Sequence, residues 1–456
     1  MSRFAGRTRW IVASLALVTL PSISRAILPH MALRHSEPAD GSRLTVAPTR
    51  ISLTFSAKPQ LAFSRIRLTG PGGAVPLDTI VGRGDSLSTR VLRPLDPGDY
   101  RIEWQTAAAD GHPVRGQIAF AVLASNAPVP AIAPVDTGAH AGHAMPLEAG
   151  RDESSFRTAR WFEFVAVLTA LGALGFRHGV LPPLASRGVP TSDAADRARR
   201  LGLSVLALYV VAVAVRLWTQ SRALKGADAP MQLDALRDFV TGTTWGIGWA
   251  AGVVGAVLML IGWALSPRRV SVGTPLALTG AIGMILSPAL SGHAATGPQF
   301  VLSVTADMLH VTAAGLWVGG LAMVLFAGIP AMLRLTDGNR HAAVSALVSS
   351  FHPLALFCAP IAVLSGLVGA WLRMGGFGPQ WTTQYGQTLL VKIGLVILLA
   401  AMGAYNSMRV RRQLSGAGGE GTQRFRLTGT LELAFAAAVV IVTTFLVVTP
   451  LPGAMP

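Results

Sequence analysis

The sequence has little cysteine and little charge. Its 456 residues include a single cysteine, and Asp, Glu, Lys and Arg together make up 13% of the chain. One cysteine excludes an internal disulfide, a zinc finger and a cysteine-ligated cluster. The motif Gly-x-x-x-x-Gly-Lys-Ser/Thr does not occur, which argues against an ATP-driven pump in this chain. Soluble domains carry about a quarter charged residues, so the composition also argues against a purely water-soluble fold.

The charge that is present has one dominant sign. The chain holds 38 Lys and Arg against 22 Asp and Glu, giving a net charge of +16. Many of these basic residues flank long apolar runs rather than gathering on one soluble face, which is the pattern of membrane proteins. We therefore expect a lipid bilayer around the chain and no nucleic-acid partner.

The first 26 residues are typical of a secretory signal. Basic residues precede an apolar stretch over 10–20, and a small-x-small sequence follows at 24–26. Eleven residues rise only about 16 Å as a helix, too short to span roughly 30 Å of hydrocarbon. The alternative is an uncleaved anchor. Either reading places the following chain outside the cytoplasm.

Residues 27–124 are predicted to form a small all-β domain. Short segments with alternating apolar residues recur between turns rich in Gly and Pro, a pattern typical of an antiparallel sandwich or barrel. These segments are 50–55, 64–68, 86–92, 100–104 and 117–122. Residues 125–159 are rich in Ala, Pro, Gly and His and predict a linker.

Residues 160–456 are predicted to form an all-α bundle in the membrane. Eight apolar runs are each long enough to cross a bilayer. Arginines concentrate in the loops after the odd-numbered runs, as in cytoplasmic loops, so both chain ends are predicted to lie outside. The runs lie near 160–177, 201–218, 243–265, 273–292, 301–328, 351–372, 387–407 and 429–449.

A candidate metal site lies in the sequence Asp110-Gly111-His112. Side chains two residues apart share one face of an extended strand, which places Asp110 beside His112. A carboxylate and an imidazole together suit a borderline ion such as Cu(II). Because Asp-Gly is also a common hairpin turn, a purely structural role is the alternative.

Three stretches of the β domain together resemble CopC, the periplasmic copper-binding family: 30–41, 50–56 and 110–116. The resemblance implies a Greek-key sandwich that binds Cu(II) through an N-terminal histidine and the Asp and His of Asp-Gly-His. In this sequence those ligands are His30, Asp110 and His112, with His35 as a secondary candidate. A cut after residue 26 leaves His30 internal, without a free amine, so we expect a weaker site.

The predicted linker contains three further candidate copper ligands, His140, His143 and Met145. Imidazole and thioether groups on a tether could catch or pass copper. The alternative is a solvated spacer in which these residues have no metal role.

Ionisable residues inside the apolar runs mark a second candidate site. Such residues are costly at bilayer depth and indicate functional positions. Asp307, His310 and Trp317 share one stripe of the fifth predicted helix at 100° per residue. His293 ends the fourth run and a short loop follows, so His293, Asp307 and His310 are predicted to form a metal path. The alternative is an Asp–His hydrogen bond that holds helices together.

Three other residues of the predicted bundle receive structural interpretations. Arg216 is expected to extend its charge to the membrane surface. Glu432 is expected to meet Arg424 or Arg426. Cys358 is expected to be a small packing residue rather than a copper ligand.

The later runs resemble CopD, the multi-span inner-membrane partner of CopC. The matching residues are Asp307-x-Leu-His310-x-x-Ala-x-x-x-Trp317-x-Gly-Gly-Leu321, Tyr385-Gly386-x-x-Leu-Leu-x-Lys392 and Tyr405-Asn406. The resemblance implies a CopC–CopD fusion in a bacterial inner membrane that takes up copper captured outside. Periplasmic copper chaperones are the implied protein partners, and no catalytic residues are predicted.

Two alternative functions remain open at this stage. One is a copper buffer or sensor that transports nothing. The other is a haem-containing cupric reductase, which needs paired axial histidines on facing helices. His293 and His310 are the one plausible pair, and they differ in predicted depth.

Overall fold

The computed structural model describes most of the β domain and most of the helical region. The described residues are 31–108, 111, 113–124, 153–225, 233–266, 269–295, 299–374, 379–410 and 420–449. Several predictions fall outside these ranges, namely the secretory signal and the ligands His30, Asp110, His112, His140, His143 and Met145.

Nine strands in the described part of the N-terminal region form two sheets. One sheet has the order β1-β3-β7-β6 and the other β2-β9-β8-β4-β5. This arrangement confirms the predicted β-sandwich. The strands are β1 (Leu33–Glu37), β2 (Ser42–Leu44), β3 (Arg50–Phe55), β4 (Arg65–Gly70), β5 (Gly73–Val75), β6 (Val81–Arg83), β7 (Ser86–Arg90), β8 (Gly98–Ala107) and β9 (Pro113–Val122).

The sandwich core follows directly from the alternating sequence pattern. Ile51, Leu53 and Phe55 alternate along β3 and are completely buried, because successive side chains of a strand point to opposite faces. Phe55 meets Trp104 of β8 edge to face, with ring centroids 5.3 Å apart. Burial of each such large apolar side chain contributes about 1.5–3 kcal/mol, which fixes the register of the two sheets.

The hairpin of β8 and β9 positions the candidate copper loop. Its two strands pair continuously from Gly98–Val122 to Ala107–Pro113. Ala108 and Gly111, the described residues between the two strands, follow the last of these pairs. Gly111 has a φ of 81°, a left-handed conformation that favours glycine.

Eight helices of the described chain are long and apolar enough to cross a membrane, which confirms the predicted number. One further helix, α3, is shorter and precedes α4. The helices are α1 (Ser154–Ala185), α2 (Ser192–Leu224), α3 (Leu233–Gly242), α4 (Thr244–Leu265), α5 (Val270–Leu290), α6 (Phe300–Met332), α7 (Asn339–Met374), α8 (Gln384–Val410) and α9 (Glu420–Val448).

Glycines allow close helix contacts inside the bundle. A Cβ on Gly255 of α4 would lie 2.5 Å from the carbonyl oxygen of Gly280 on α5, and a Cβ on Gly319 of α6 would overlap the Leu168 carbonyl of α1. Helices in membranes associate through such close packing, because apolar burial alone does not favour helix contact over lipid contact. These contacts hold α4 against α5 and α6 against α1.

Candidate functional site

Gly111, between β8 and β9, contacts the helical region directly. The Gln220 Nε2 of α2 donates a hydrogen bond of 2.8 Å to the Gly111 carbonyl oxygen. A Cβ on Gly111 would lie 2.8 Å from Cβ of Trp245, at the start of α4. Glycine at this position therefore permits the close approach. In the chain Gly111 separates the predicted copper ligands Asp110 and His112, which lie outside the described residues.

Three more residues of the β domain complete this interdomain contact. Gln105 of β8 donates to the Leu224 carbonyl, and Arg115 of β9 donates to the Ala223 carbonyl at 3.2 Å. The last carbonyls of a helix have no partner within it, so the β domain caps the C-terminal end of α2. Phe63 packs edge to face on Phe239 of α3, with ring centroids 5.6 Å apart. Burial, and secondarily the charge of Arg65, lower the pKa of the Arg115 guanidinium.

A group of buried charges lies one helical turn away from Gln220. Arg160 and Glu163 of α1 and Arg216 of α2 are each at most 1% exposed. Glu163 Oε2 lies 3.1 Å from Arg160 Nη1, and Glu163 Oε1 lies 2.6 Å from Arg216 Nη1. Ser287 donates to the same carboxylate, and Arg216 Nη2 donates to Ser291 Oγ at 2.8 Å. We call these five residues the Glu163 cluster.

Trp245 joins the Glu163 cluster to the β domain. The Arg216 guanidinium lies 4.8 Å from the centre of the Trp245 ring, a cation–π distance. The same tryptophan packs against Gly111. Gly111 and the buried Arg216 therefore both contact the side chain of Trp245.

The prediction that Arg216 extends to the membrane surface is wrong. Its side chain is completely buried, because Glu163 supplies a partner inside the bundle. Glu163 and Arg160 were not singled out from the sequence. Their position in the first predicted span could have identified them, because ionisable residues in a span are costly unless they are paired.

Asp307 and His310 take part in separate contacts on α6. Asp307 Oδ1 lies 3.1 Å from Arg373 Nη2 of α7, so its partner is an arginine rather than His310. The His310 Nδ1 lies 2.7 Å from the Ala362 carbonyl oxygen. Since a carbonyl only accepts, Nδ1 carries a proton, and in the neutral imidazole Nε2 then keeps its lone pair. A metal-binding imidazole is commonly oriented in this way.

The predicted path of His293, Asp307 and His310 stays a prediction. Within the described side chains, no three of His, Cys, Asp and Glu come together as a metal-binding group. The backbone of His293 begins the short 3-10 turn His293–Ala295, two residues after Ser291 of the Glu163 cluster. His35, on β1, is exposed and lies 3.5 Å from Glu37 rather than in a three-ligand group.

The prediction for Glu432 is also wrong. Its carboxylate accepts a hydrogen bond of 2.9 Å from Asn406 Nδ2 of α8 and another from Trp317 of α6, rather than meeting Arg424 or Arg426. Cys358 is buried among apolar side chains, as a packing residue is expected to be.

Three family models match successive parts of the chain. The CopC domain matches residues 33–123, the copper resistance protein D-like N-terminal domain matches 152–300, and copper resistance protein D matches 345–446. The names denote copper resistance proteins and do not denote enzymes.

Whole-chain and partial relatives agree with these matches. The copper transport protein CutJ of Bacillus subtilis is 26% identical over 97% of this chain and 77% of its own length. Copper resistance protein C of Xanthomonas campestris pv. juglandis is 31% identical over 25% of this chain and 96% of its own length. Inner membrane protein YebZ of Escherichia coli is 28% identical over 45% of this chain and 68% of its own length.

Among solved structures, the crystal structure of PcoC, a methionine-rich copper resistance protein from Escherichia coli, is similar to the β domain. It is 29% identical in sequence and covers 21% of this chain and 99% of its own, with a TM-score of 0.19.

The fold defines a β-sandwich domain joined to a multi-span membrane region. The order of the family matches makes the chain a CopC–CopD fusion of the copper resistance and transport family, as the two sequence resemblances predict.

Proposed function

We propose that this protein captures Cu(II) in its β domain and passes copper to the membrane bundle for uptake across a bacterial inner membrane. The observation that carries the proposal is the contact of Gly111 with Gln220 and Trp245. Asp110 and His112 are covalently attached to Gly111, so a copper ion held by them has only a short distance to travel to the helices.

The proposed capture site consists of His30, Asp110 and His112, with His35 as a secondary ligand. Imidazole and carboxylate donors suit Cu(II). His140, His143 and Met145 are proposed as ligands that exchange copper with periplasmic chaperones. In this proposal the β domain and both chain ends lie on the periplasmic side, as the arginine-rich loops on the other side support.

The proposed route into the bundle begins beside the Glu163 cluster. Ser291 contacts Arg216, and the backbone continues from Ser291 to His293. His293 is therefore the first proposed ligand in the membrane region, followed by Asp307 and His310 on α6. The contact of His310 Nδ1 with the Ala362 carbonyl leaves Nε2 of the neutral ring available, which supports a role in binding the cargo ion.

Replacing His112 with alanine is expected to reduce copper uptake by about tenfold or more, because removal of a ligand removes most of the metal affinity. The measurement is the copper content of cells expressing the full chain, by mass spectrometry. His178→Ala is the matched control, because His178 is exposed on α1 and belongs to no proposed copper site.

The electron paramagnetic resonance spectrum of Cu(II) on the purified full chain gives the second readout. An unchanged spectrum in His112→Ala would contradict the proposed capture site. His310→Ala separates transport from storage: if it binds Cu(II) normally and cells accumulate normal copper, the protein is a buffer or sensor and the proposed route is wrong.

A further inference from the structure

A recess between three helices opens at the membrane face opposite the β domain. It is a small, partly open recess of about 20 Å³, lined by Arg177 of α1, Arg199 of α2, and Trp263 and Ser266 at the end of α4. The β domain contacts the other ends of α2 and α4, through Leu224 and Trp245. The recess is thus remote from the proposed copper route.

The recess has uncompensated positive charge. Among the described residues that line it there are two arginines and no acidic side chain. Among the residues that the structure describes, neither Arg177 nor Arg199 forms an ion pair, while Asp193 on α2 is already paired with Arg197 at 3.1 Å. The Arg199 Nε is buried and has no hydrogen-bond partner there. A buried donor without an acceptor is costly, so the recess fits an anion.

The surroundings favour an anion attached to an apolar chain. Trp263 is 5% exposed and fills the wall of the recess. One turn away, Leu260 and Ile261 are 46% and 43% exposed on α4, a helix long and apolar enough to cross a membrane. Arginine binds phosphate through paired N–H donors, and basic recesses between membrane helices bind lipid headgroups.

We propose that the mouth of this recess binds the phosphate group of an anionic phospholipid, with Arg177 and Arg199 as the binding residues. The acyl chains lie along the apolar surface of α4. Such a lipid lies between α1, α2 and α4, at the helix ends remote from the β domain.

Native mass spectrometry of the purified full chain tests this proposal. Phosphatidylglycerol is titrated against the wild type and the double variant Arg177→Gln/Arg199→Gln. Each arginine is expected to contribute about fivefold to lipid affinity, so the double variant loses roughly 25-fold. The control is Arg200→Gln, which removes an exposed arginine of α2 outside the recess and is expected to bind normally.

Further arms separate the ligand sources, and the effect of charge from that of the paired donors. Arg177→Lys/Arg199→Lys keeps the charge but loses the paired N–H donors, so its lipid affinity is expected to lie between those of the wild type and the double glutamine variant. Phosphatidylcholine is expected to bind more weakly than phosphatidylglycerol. Equal retention of phosphatidylglycerol by the double glutamine variant would overturn the proposal. If the wild type binds inorganic phosphate but does not bind phosphatidylglycerol, the proposed lipid ligand is wrong and the recess is a site for a free anion.

Discussion

Glu163→Ala is expected to lower the free energy of unfolding by about 3–5 kcal/mol. The variant leaves Arg160 and Arg216 buried with no carboxylate between them, and breaking a buried ion pair by removing one partner has a cost of that size. Denaturant unfolding of the purified full chain in detergent measures the loss. In the membrane the same variant is expected to accumulate to lower levels.

The matched control for this variant is Asp193→Ala. Its ion pair with Arg197 has nearly the same distance as the Glu163–Arg160 pair, 3.1 Å, but lies at a partly exposed position. Loss of an exposed pair costs only about 0.2–1 kcal/mol. Equal effects of the two variants would contradict the burial and pairing assigned to the Glu163 cluster.

A third variant distinguishes stability from function in the Glu163 cluster. Replacing Arg160, Glu163 and Arg216 together with leucine removes all three charges at once, and apolar replacement of a whole buried ion network is often neutral for stability. We expect the triple variant to recover most of the stability lost by Glu163→Ala. If it also takes up copper normally, the cluster is structural alone and the proposed route does not depend on it.

The β domain could be predicted from the sequence because its pattern is local. Alternation along 50–55 and 100–104 is a signal with period two, and each strand needs only its neighbours to reveal its buried face. The eight spans were predictable for the same reason, since length and apolar composition are properties of one segment.

The polar contacts of the bundle could not be predicted in this way. Glu163 lies 53 residues from Arg216 and 124 residues from Ser287. The helical stripe placed Asp307 beside His310, yet Asp307 pairs with Arg373, which is 66 residues away. A helical period identifies which side chains share a face, but the partner across that face depends on the packing of other helices.

The interdomain contact was likewise hidden from the sequence. Gln220 and Gly111 are 109 residues apart, and neither residue type suggests a contact. Only the glycine of Asp-Gly-His offered a signal, which fitted a tight turn equally well. The structure shows a second reason for this glycine: because Gly111 has no side chain, Trp245 can pack against it.

Phe63→Asp is expected to separate copper capture from copper delivery. Phe63 is 3% exposed and packs on Phe239, so aspartate there places an unpaired charge in an apolar contact between the domains. The β domain then detaches from α2 and α4 while its chain connection to the bundle remains. The bound copper ion is then no longer held beside the helices at a high effective concentration. Copper uptake is therefore expected to fall by about tenfold or more.

Copper binding by the Phe63→Asp protein is expected to stay within about twofold of wild type, because Phe63 is no proposed ligand and lies outside the sandwich core. The matched control is Leu61→Asp, on the same 3-10 turn, whose side chain is 49% exposed and accepts the charge in water. Binding is measured by Cu(II) titration of the full chain, and uptake by copper content of reconstituted vesicles. Normal uptake by Phe63→Asp would show that delivery does not require the docked β domain, whereas loss of both binding and uptake would show that the substitution damages the sandwich itself.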